Sequence, residues 1–385
     1  MLMIGKDQSI SLYFHIPFCS RKCDYCHFYV LPDKAPLKVL LMEGLRLEWE
    51  YIKPLLIEKK IVSIYFGGGT PYLLGAAAIA EIIQWVASIV PQGVISSMEI
   101  TLEANPENIE IDTLKEFYGA GINRLSIGLQ SLDDTQLTIL SRQHSAKKGL
   151  DAISMAYDVG FKNISIDLMY DLPNQTLASW QRTVKRASSL PIKHLSLYNL
   201  TIEPHTAFFK YRKKLEEQLP DGETSKAMYE TACSHFEASG LRQYEISAFA
   251  KEGQIARHNS GYWTGRPFWG LGPSAFSYWD GRRFSNSANL SKYTQALRTG
   301  NSPIDFSEEL SPIARRRELL AIGLRLFKGV DLVAFELQHG SLDLPCKDLL
   351  AKLKAEGYLG SEDSRWFLPK KGILFYDSVA TELVL

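Results

Sequence analysis

Residues 11–30 read SLYFHIPFCSRKCDYCHFYV, an apolar run that stops at Pro17–Phe18 and is followed at once by Cys19, Cys23 and Cys26. The chain has five cysteines in 385 residues, and three of them sit here. Thiolates bind soft metals, and three of them supply one ligand fewer than a closed tetrahedral zinc site or a fully protein-ligated iron–sulfur cube takes. The spacing admits a four-iron cluster with one iron open to a small molecule, zinc completed by His27, or plain buried thiols. An open iron points to cofactor chemistry rather than side-chain acid–base work.

Outward from this run, short apolar segments alternate with helical ones. Strands are predicted at 11–17, 61–66, 97–103, 123–129, 163–168 and 194–199, with a weaker one at 242–246. Helices are predicted at 36–55, 72–88, 109–119, 146–159, 176–189 and 223–239. Such alternation implies parallel strands with helices outside, and the nearly continuous apolar character of ISIDLMY suits a strand buried on both faces. Ala120–Gly121 and Gly160 stand where helix C-caps belong. Asn105–Pro106 and Leu172–Pro173 break the chain just beyond strands, so the notable polar residues fall on the loops from which β/α barrels build active sites.

Three stretches divide the chain: 1–240, the barrel core; 241–300, rich in aromatics and glycine without clean periodicity, as in a lid or binding loop; and 301–385, a small C-terminal α+β domain. In the last, helices at 312–327, 331–338 and 346–355 precede WFLPKKGILFY, which reads as two strands around a Lys–Lys–Gly turn and gives a winged-helix-like outline.

Lys plus Arg and Asp plus Glu both number 43, so no global field attracts nucleic acid, and KYRKK at 210–214 reads as a solvated helix face. The segment MLMIGKDQS has no leader-like pattern, and no apolar stretch is long enough to span a membrane. Three crowded cysteines beside the isolated Cys233 and Cys346 fit a reducing cytoplasm, with the two isolated ones in the core.

Gly67–Gly68–Gly69–Thr70–Pro71 follows the strand IVSIYF; its glycines would let backbone amides approach a ligand carboxylate, although a tight turn explains them equally. Glu103 and Gln130 end strands, Asp167 lies near the end of another, and Arg142 lies in the helical region after Gln130. Each alone suits a helix cap. Together they can bind an ammonium, ribose hydroxyls and a carboxylate, the polar handles of a nucleoside joined to an amino acid.

CSRKCDYC, GGGTP, LEANP, LTIEPHT, QYEIS, RHNSGYW and LGPSAFSY together resemble the radical S-adenosylmethionine (SAM) superfamily, in its coproporphyrinogen-dehydrogenase-like branch. The resemblance implies a partial TIM-type (β/α)6 barrel in which Cys19, Cys23 and Cys26 hold a [4Fe–4S] cluster. Tyr13, Tyr25, Gly68, Gly69, Thr70, Glu103, Gln130, Arg142 and Asp167 would surround the cluster-bound SAM, and His15 would tune or cover the cluster unless it is core. The oxidases of this branch carry a further cysteine two positions after the third ligand, where this chain has Phe28; that departure resembles the branch's haem chaperones. The same resemblance makes His258, Asn259, Tyr262 and Trp263 candidates for contacting haem as cargo, with the axial role of His258 open. Phe276 stands where relatives often show histidine. It further implies haem-accepting respiratory proteins as partners, at the membrane surface or in the cytoplasm, a reductant such as flavodoxin or ferredoxin where radical chemistry occurs, and the alternative of an oxygen-independent coproporphyrinogen III dehydrogenase.

Overall fold

A computed structural model describes residues 9–385 apart from positions 92 and 94; the N-terminal segment read for a leader lies outside them, save its last residue. One twelve-stranded sheet is built from strands between Ser9 and Glu309. Its strands are β1 (Ser9–Ile16), β2 (Lys60–Gly68), β3 (Glu99–Ala104), β4 (Arg124–Gln130), β5 (Asn163–Tyr170), β6 (His194–Asn199), β7 (Arg242–Glu245), β8 (Ala248–Ala250), β9 (Phe268–Leu271), β10 (Phe276–Trp279), β11 (Arg282–Asn286) and β12 (Ile304–Glu309). The spatial order is β12-β11-β10-β9-β1-β2-β3-β4-β5-β6-β8-β7. Strands β1 to β6 are parallel and follow chain order, as the strand–helix alternation requires, and β9 joins β1 in parallel. The ends of the sheet are antiparallel, so the barrel is partial.

Each of the six central strands alternates. Leu12, Phe14, Ile64, Phe66, Ile100, Leu102, Leu125, Ile127, Ile164, Ile166, Leu195 and Leu197 are buried in the apolar core with the flanking helices. The residues between them are Ser11, Tyr13, Ser63, Tyr65, Thr101, Glu103, Arg124, Ser126, Ser165, Asp167, His194 and Ser196. Successive side chains of a strand point to opposite faces, so this second set lines the concave lumen. The expectation of strands apolar on both faces is thereby corrected. ISIDLMY is apolar outward, and its serine and aspartate face a polar interior.

The helices sit close to their predicted places, because the signals that stop them are local. Helix Ala146–Val159 starts where the Ser145 side chain accepts from Lys148 N and ends at Gly160 with φ +122°; helix Leu177–Ala187 opens with a Thr176/Ser179 capping box. The expected helix 72–88 is divided at Gly75 (φ +95°) into a 3-10 turn, Pro71–Leu74, and helix Ala76–Ala87.

Two further readings change. The stretch 241–300 is regular: it holds helix Arg257–Trp263, strands β9 to β11 and helix Leu290–Arg298. Its strands are three to five residues long and its glycines serve close approaches, which is why no period shows; a Cβ on Gly272 would meet His15 O at 2.7 Å. At the C-terminus the hairpin pairs Gly360–Glu362 with Arg365–Phe367 around Asp363 (φ +51°), and Lys370–Leu374 is helical. Aspartate tolerates the left-handed turn, while Pro369 suits a helix start, so the lysines open a helix rather than turn a hairpin.

The C-terminal helices Pro312–Leu324, Leu332–His339, Leu344–Ala355 and Tyr376–Val384 enclose a second core around Leu320, Leu350, Leu353 and Leu383, in which Cys346 is buried. This unit is fastened to the barrel by Arg325, which reaches Glu245 at 2.9 Å and Ser247 at 2.8 Å and stacks 4.4 Å over Trp263. Lys210–Lys214 lies on exposed short helices as expected. No described helix is long and apolar enough to cross a membrane.

Candidate functional site

The cysteine loop leaves the C-terminal end of β1 and crosses the barrel mouth. It is tied down on both sides: Gly69 N and Thr70 N donate to Ile16 O and Phe18 O at 2.9 and 2.6 Å, Asp24 N donates to Ser141 Oγ at 2.9 Å, and Phe208 N donates to Asp24 O at 2.9 Å. The GGGTP segment packs where only glycine fits. A Cβ on Gly69 would lie 2.6 Å from Phe18 O, and one on Gly68 (φ +112°) would lie 2.6 Å from the His15 ring. The Gly68 amide donates to Glu103 Oε2 at 3.2 Å. In this structure these amides donate within the protein, as in the tight turn that the sequence equally allowed. The glycines serve the tight crossing that brings β2 and Glu103 against the cysteines.

All three thiols are half-buried. Burial pushes the Cys19 thiol up to about 11, partly opposed by Thr70, and raises that of Cys26. Thr70 Oγ1 accepts from Asn105 Nδ2 at 2.8 Å and lies 3.6 Å from Cys19 Sγ, so its proton is free to point at the sulfur. Arg142 Nη1 donates to Cys23 Sγ at 3.6 Å, while Nη2 donates to Asn105 Oδ1 and to Gly128 O, both at 2.7 Å. Burial works against the Arg142 charge, but Tyr25, Cys23 and Glu107 overcome it and raise its pKa. A guanidinium held beside thiols, with its buried Nε unpartnered, offsets the charge that metal binding would leave on sulfur.

Among the described residues no three His, Cys, Asp or Glu side chains close around a single metal ion, and His27 is exposed, its ring stacked 4.7 Å from Phe28. Sulfurs bound to three different irons of a cube stand farther apart than ligands of one ion. The donor set of three half-buried thiols, one cation and no fourth protein ligand fits a three-cysteine cluster better than zinc.

Below this mouth the carboxylates face the lumen. Glu103 accepts from Tyr65 Oη at 2.7 Å, and burial raises it to about 7; burial likewise raises Asp167 to about 6, against a Ser196 hydrogen bond and the Arg124 and Arg142 charges. Gln130 closes β4 with φ +62°, a strained backbone that turns its amide at the rim. Tyr13 donates to His15 Nδ1 at 3.0 Å, and His15 Nε2 donates to Tyr29 O at 3.2 Å. His15 is thus packing beneath Gly68, with its pKa lowered by burial to about 4. Tyr25 lies against Phe208 at 6.4 Å and beside Arg142, on the core side of the loop.

RHNSGYW forms helix Arg257–Trp263, which plugs the opposite end of the lumen. His258 is fully buried: Nδ1 meets Ser63 Oγ at 3.0 Å, Nε2 meets Tyr262 Oη at 2.8 Å, and its backbone N donates to Glu99. Ser63 Oγ donates to Ser11, so it accepts from Nδ1–H and leaves the Nε2 lone pair to the Tyr262 hydroxyl. In this conformation both imidazole nitrogens are engaged within the protein. Asn259, Tyr262 and Trp263 are half-buried on the same helix, and Phe276 is 56% exposed beside Phe306.

The structure therefore gathers Cys19, Cys23, Cys26, Thr70, Glu103, Gln130, Arg142 and Asp167 at one mouth and places His258 away from it. Sequence reasoning missed Asn105, which links Thr70 to Arg142, and Tyr65, which holds Glu103. Asn105 stood in the quoted LEANP motif; for Tyr65 the only signal was its alternation within β2.

Fold and mouth together define a radical SAM protein: the Radical SAM superfamily profile matches residues 13–187 and the HemN C-terminal domain profile matches residues 310–375. Two relatives are similar over the whole length. The heme chaperone HemW of Bacillus subtilis is 33% identical over 375 residues, 96% of this chain and 97% of that protein, and HemW of Haemophilus influenzae is 31% identical over 380 residues, 96% of each. The chain belongs to the HemW family. The solved Escherichia coli coproporphyrinogen III oxidase (HemN) superposes with a TM-score of 0.84 over 98% of this chain and 90% of that one, at 23% identity, a likeness of fold alone.

Proposed function

We propose that this protein is a haem chaperone that carries a [4Fe–4S] cluster on Cys19, Cys23 and Cys26, binds SAM at the barrel mouth, and passes haem to other haemoproteins. The observation that carries the reading is the whole-length similarity to HemW together with a mouth that collects three thiols, one guanidinium and two lumen carboxylates from separate loops. Held by these three cysteines, the cluster would supply redox chemistry beside the SAM sulfonium, with its electron drawn from a reductant such as flavodoxin or ferredoxin. The chain's own residues do the rest: Arg142 braces the cysteine loop against Asn105 and Gly128, Glu103 and Asp167 offer acceptors to ammonium and ribose hydroxyls, and the glycine crossing keeps the mouth narrow.

The alternative, an oxygen-independent coproporphyrinogen III dehydrogenase, is favoured by the shared fold. Against it stands Phe28, 51% exposed, where the oxidases resembled by this chain have another cysteine. One anaerobic preparation tests both readings. Iron and sulfide analysis and SAM binding probe the site; a haem titration followed spectroscopically, repeated with Trp263→Ala, and transfer to an apo-haemoprotein probe the chaperone. No haem binding with an intact cluster, or conversion of coproporphyrinogen III, overturns the proposal.

A further inference from the structure

Asn105 follows β3 at the barrel mouth, where Pro106 behind it keeps its backbone extended (φ −102°, ψ 141°) and so fixes where its side chain leaves the chain. The carboxamide lies between two groups of opposite need. Arg142 Nη2 donates to Oδ1 at 2.7 Å, and Nδ2 donates to Thr70 Oγ1 at 2.8 Å. The two ends of the amide cannot be exchanged, because a guanidinium only donates and must face an oxygen. Gly128 leaves room for the pair: a Cβ there would lie 3.1 Å from Asn105 Oδ1 and 3.6 Å from Arg142 Nη2. Each partner in turn faces a different thiol, Thr70 Oγ1 at 3.6 Å from Cys19 Sγ and Arg142 Nη1 at 3.6 Å from Cys23 Sγ. Thr70 is 1% exposed and the Arg142 side chain 4%, so neither trades these contacts for water. A sulfur bound to iron has no proton to give, so toward a loaded cluster the hydroxyl must be the donor. It is able to be one, because Asn105 already fills one of its lone pairs and its own proton has no other acceptor among the described residues.

We propose that Asn105 is a positioning residue for the cluster: one amide aims a hydroxyl at Cys19 and a guanidinium at Cys23, and thereby sets how readily the cluster accepts an electron. This rests on the cluster reading above. Donors and cations aimed at cluster sulfurs favour the state that carries the extra electron, so they raise its reduction potential. The donors here form one connected chain, in which each bond polarises the next.

The test is Asn105→Asp, which keeps the size of the side chain and the bond from Arg142 but offers only acceptors, so Thr70 must turn its one proton to the carboxylate and away from Cys19. In anaerobically reconstituted protein without SAM, poised with dithionite and followed by electron paramagnetic resonance, the one-electron reduction constant is expected to fall about tenfold in Asn105→Asp, a shift of about 59 mV, and several-fold in Thr70→Val. The double variant separates a relay from a coincidence. If Asn105 aims Thr70, Thr70→Val lowers the potential of the native chain and adds nothing to Asn105→Asp. Equal effects of Thr70→Val in both backgrounds, or a native potential in Asn105→Asp, overturn the proposal. A merely structural role gives lost cluster content and a lower melting temperature with the potential of the remaining clusters unmoved, and overturns it too. Should Asn105→Asp not fold, Asn105→Ser takes its place; it is too short to reach either partner, so Thr70→Val should again add little. In metal-free protein the Asn105 carboxamide 15N–1H resonances, identified by their loss in these variants, should move on Thr70→Val; unmoved resonances mean that the relay is absent. Native protein that shows this movement but takes up neither iron nor sulfide brings down the cluster reading, and the proposal with it.

Discussion

The cysteine loop and RHNSGYW were the two densest motifs of the sequence, and they lie at opposite ends of one lumen with opposite treatment of their polar groups. At the floor, each nitrogen of His258 is matched inside the protein, by Ser63 and by Tyr262. At the mouth, three thiols and the Nε of Arg142 are held in place with capacity unfilled. The ring of His258 is fixed by its neighbours, although the buried Ser260 Oγ beside it lacks a partner, whereas polar groups kept short of partners by well-fixed neighbours leave room for a ligand.

The contrast can be broken most sharply at the thiols. Replacing Cys19, Cys23 and Cys26 together by alanine is expected to abolish iron and sulfide incorporation while the circular dichroism spectrum stays native, because the sulfurs contribute little to the core; retained iron would show that the mouth is not the cluster site. Gly68→Ala comes next. Its added methyl meets the His15 ring at a backbone angle that favours glycine, so SAM affinity should drop about tenfold or more with a stability loss of about 1–3 kcal/mol; unchanged binding in an isothermal titration would mean the crossing is not part of the site.

His258→Ala probes the other end. Removing a buried ring that bridges Ser63 and Tyr262 is expected to cost about 2–4 kcal/mol in urea unfolding, with iron content and haem affinity of the folded protein unchanged. A haem affinity that collapsed without loss of stability would move the cargo site to the floor.

The smallest effect concerns Glu48, buried behind β1, where it accepts from Gly272 N, Asn286 and Tyr293. Burial raises it to about 7 from an ordinary 4.5. The folded state thus binds a proton that the unfolded chain has released, so this contribution is complete below pH 4.5 and lost as pH rises through about 7, up to about 3 kcal/mol. Glu48→Gln should flatten the stability slope across that window; an unaltered slope would assign it to the other buried titrating groups.

Much of this was legible in the residues. Strand–helix alternation gave the parallel order, glycines gave helix ends, and Cys19, Cys23 and Cys26 marked the mouth because their spacing is local. The short strands of 268–286 were not legible, since a four-residue strand carries too few alternations to register and its partner is β1, some 250 residues away. Nor was the WFLPKKGILFY helix, where a proline before two lysines and a glycine resembles a turn until the packing of Gly372 against Tyr358 O fixes the chain.

The sequence by itself determined the alternation of the six central strands with their helices and which three sulfurs lie close along the chain, because these follow from propensity, capping and spacing within a few residues. Only the tertiary structure decided which way each strand faces and hence that the lumen is polar, that the His258 ring is bridged by Ser63 and Tyr262, and that Asn105 joins Thr70 to Arg142. Those are properties of residues brought together across a hundred positions or more, where burial and charge, not local pattern, set what each group can do.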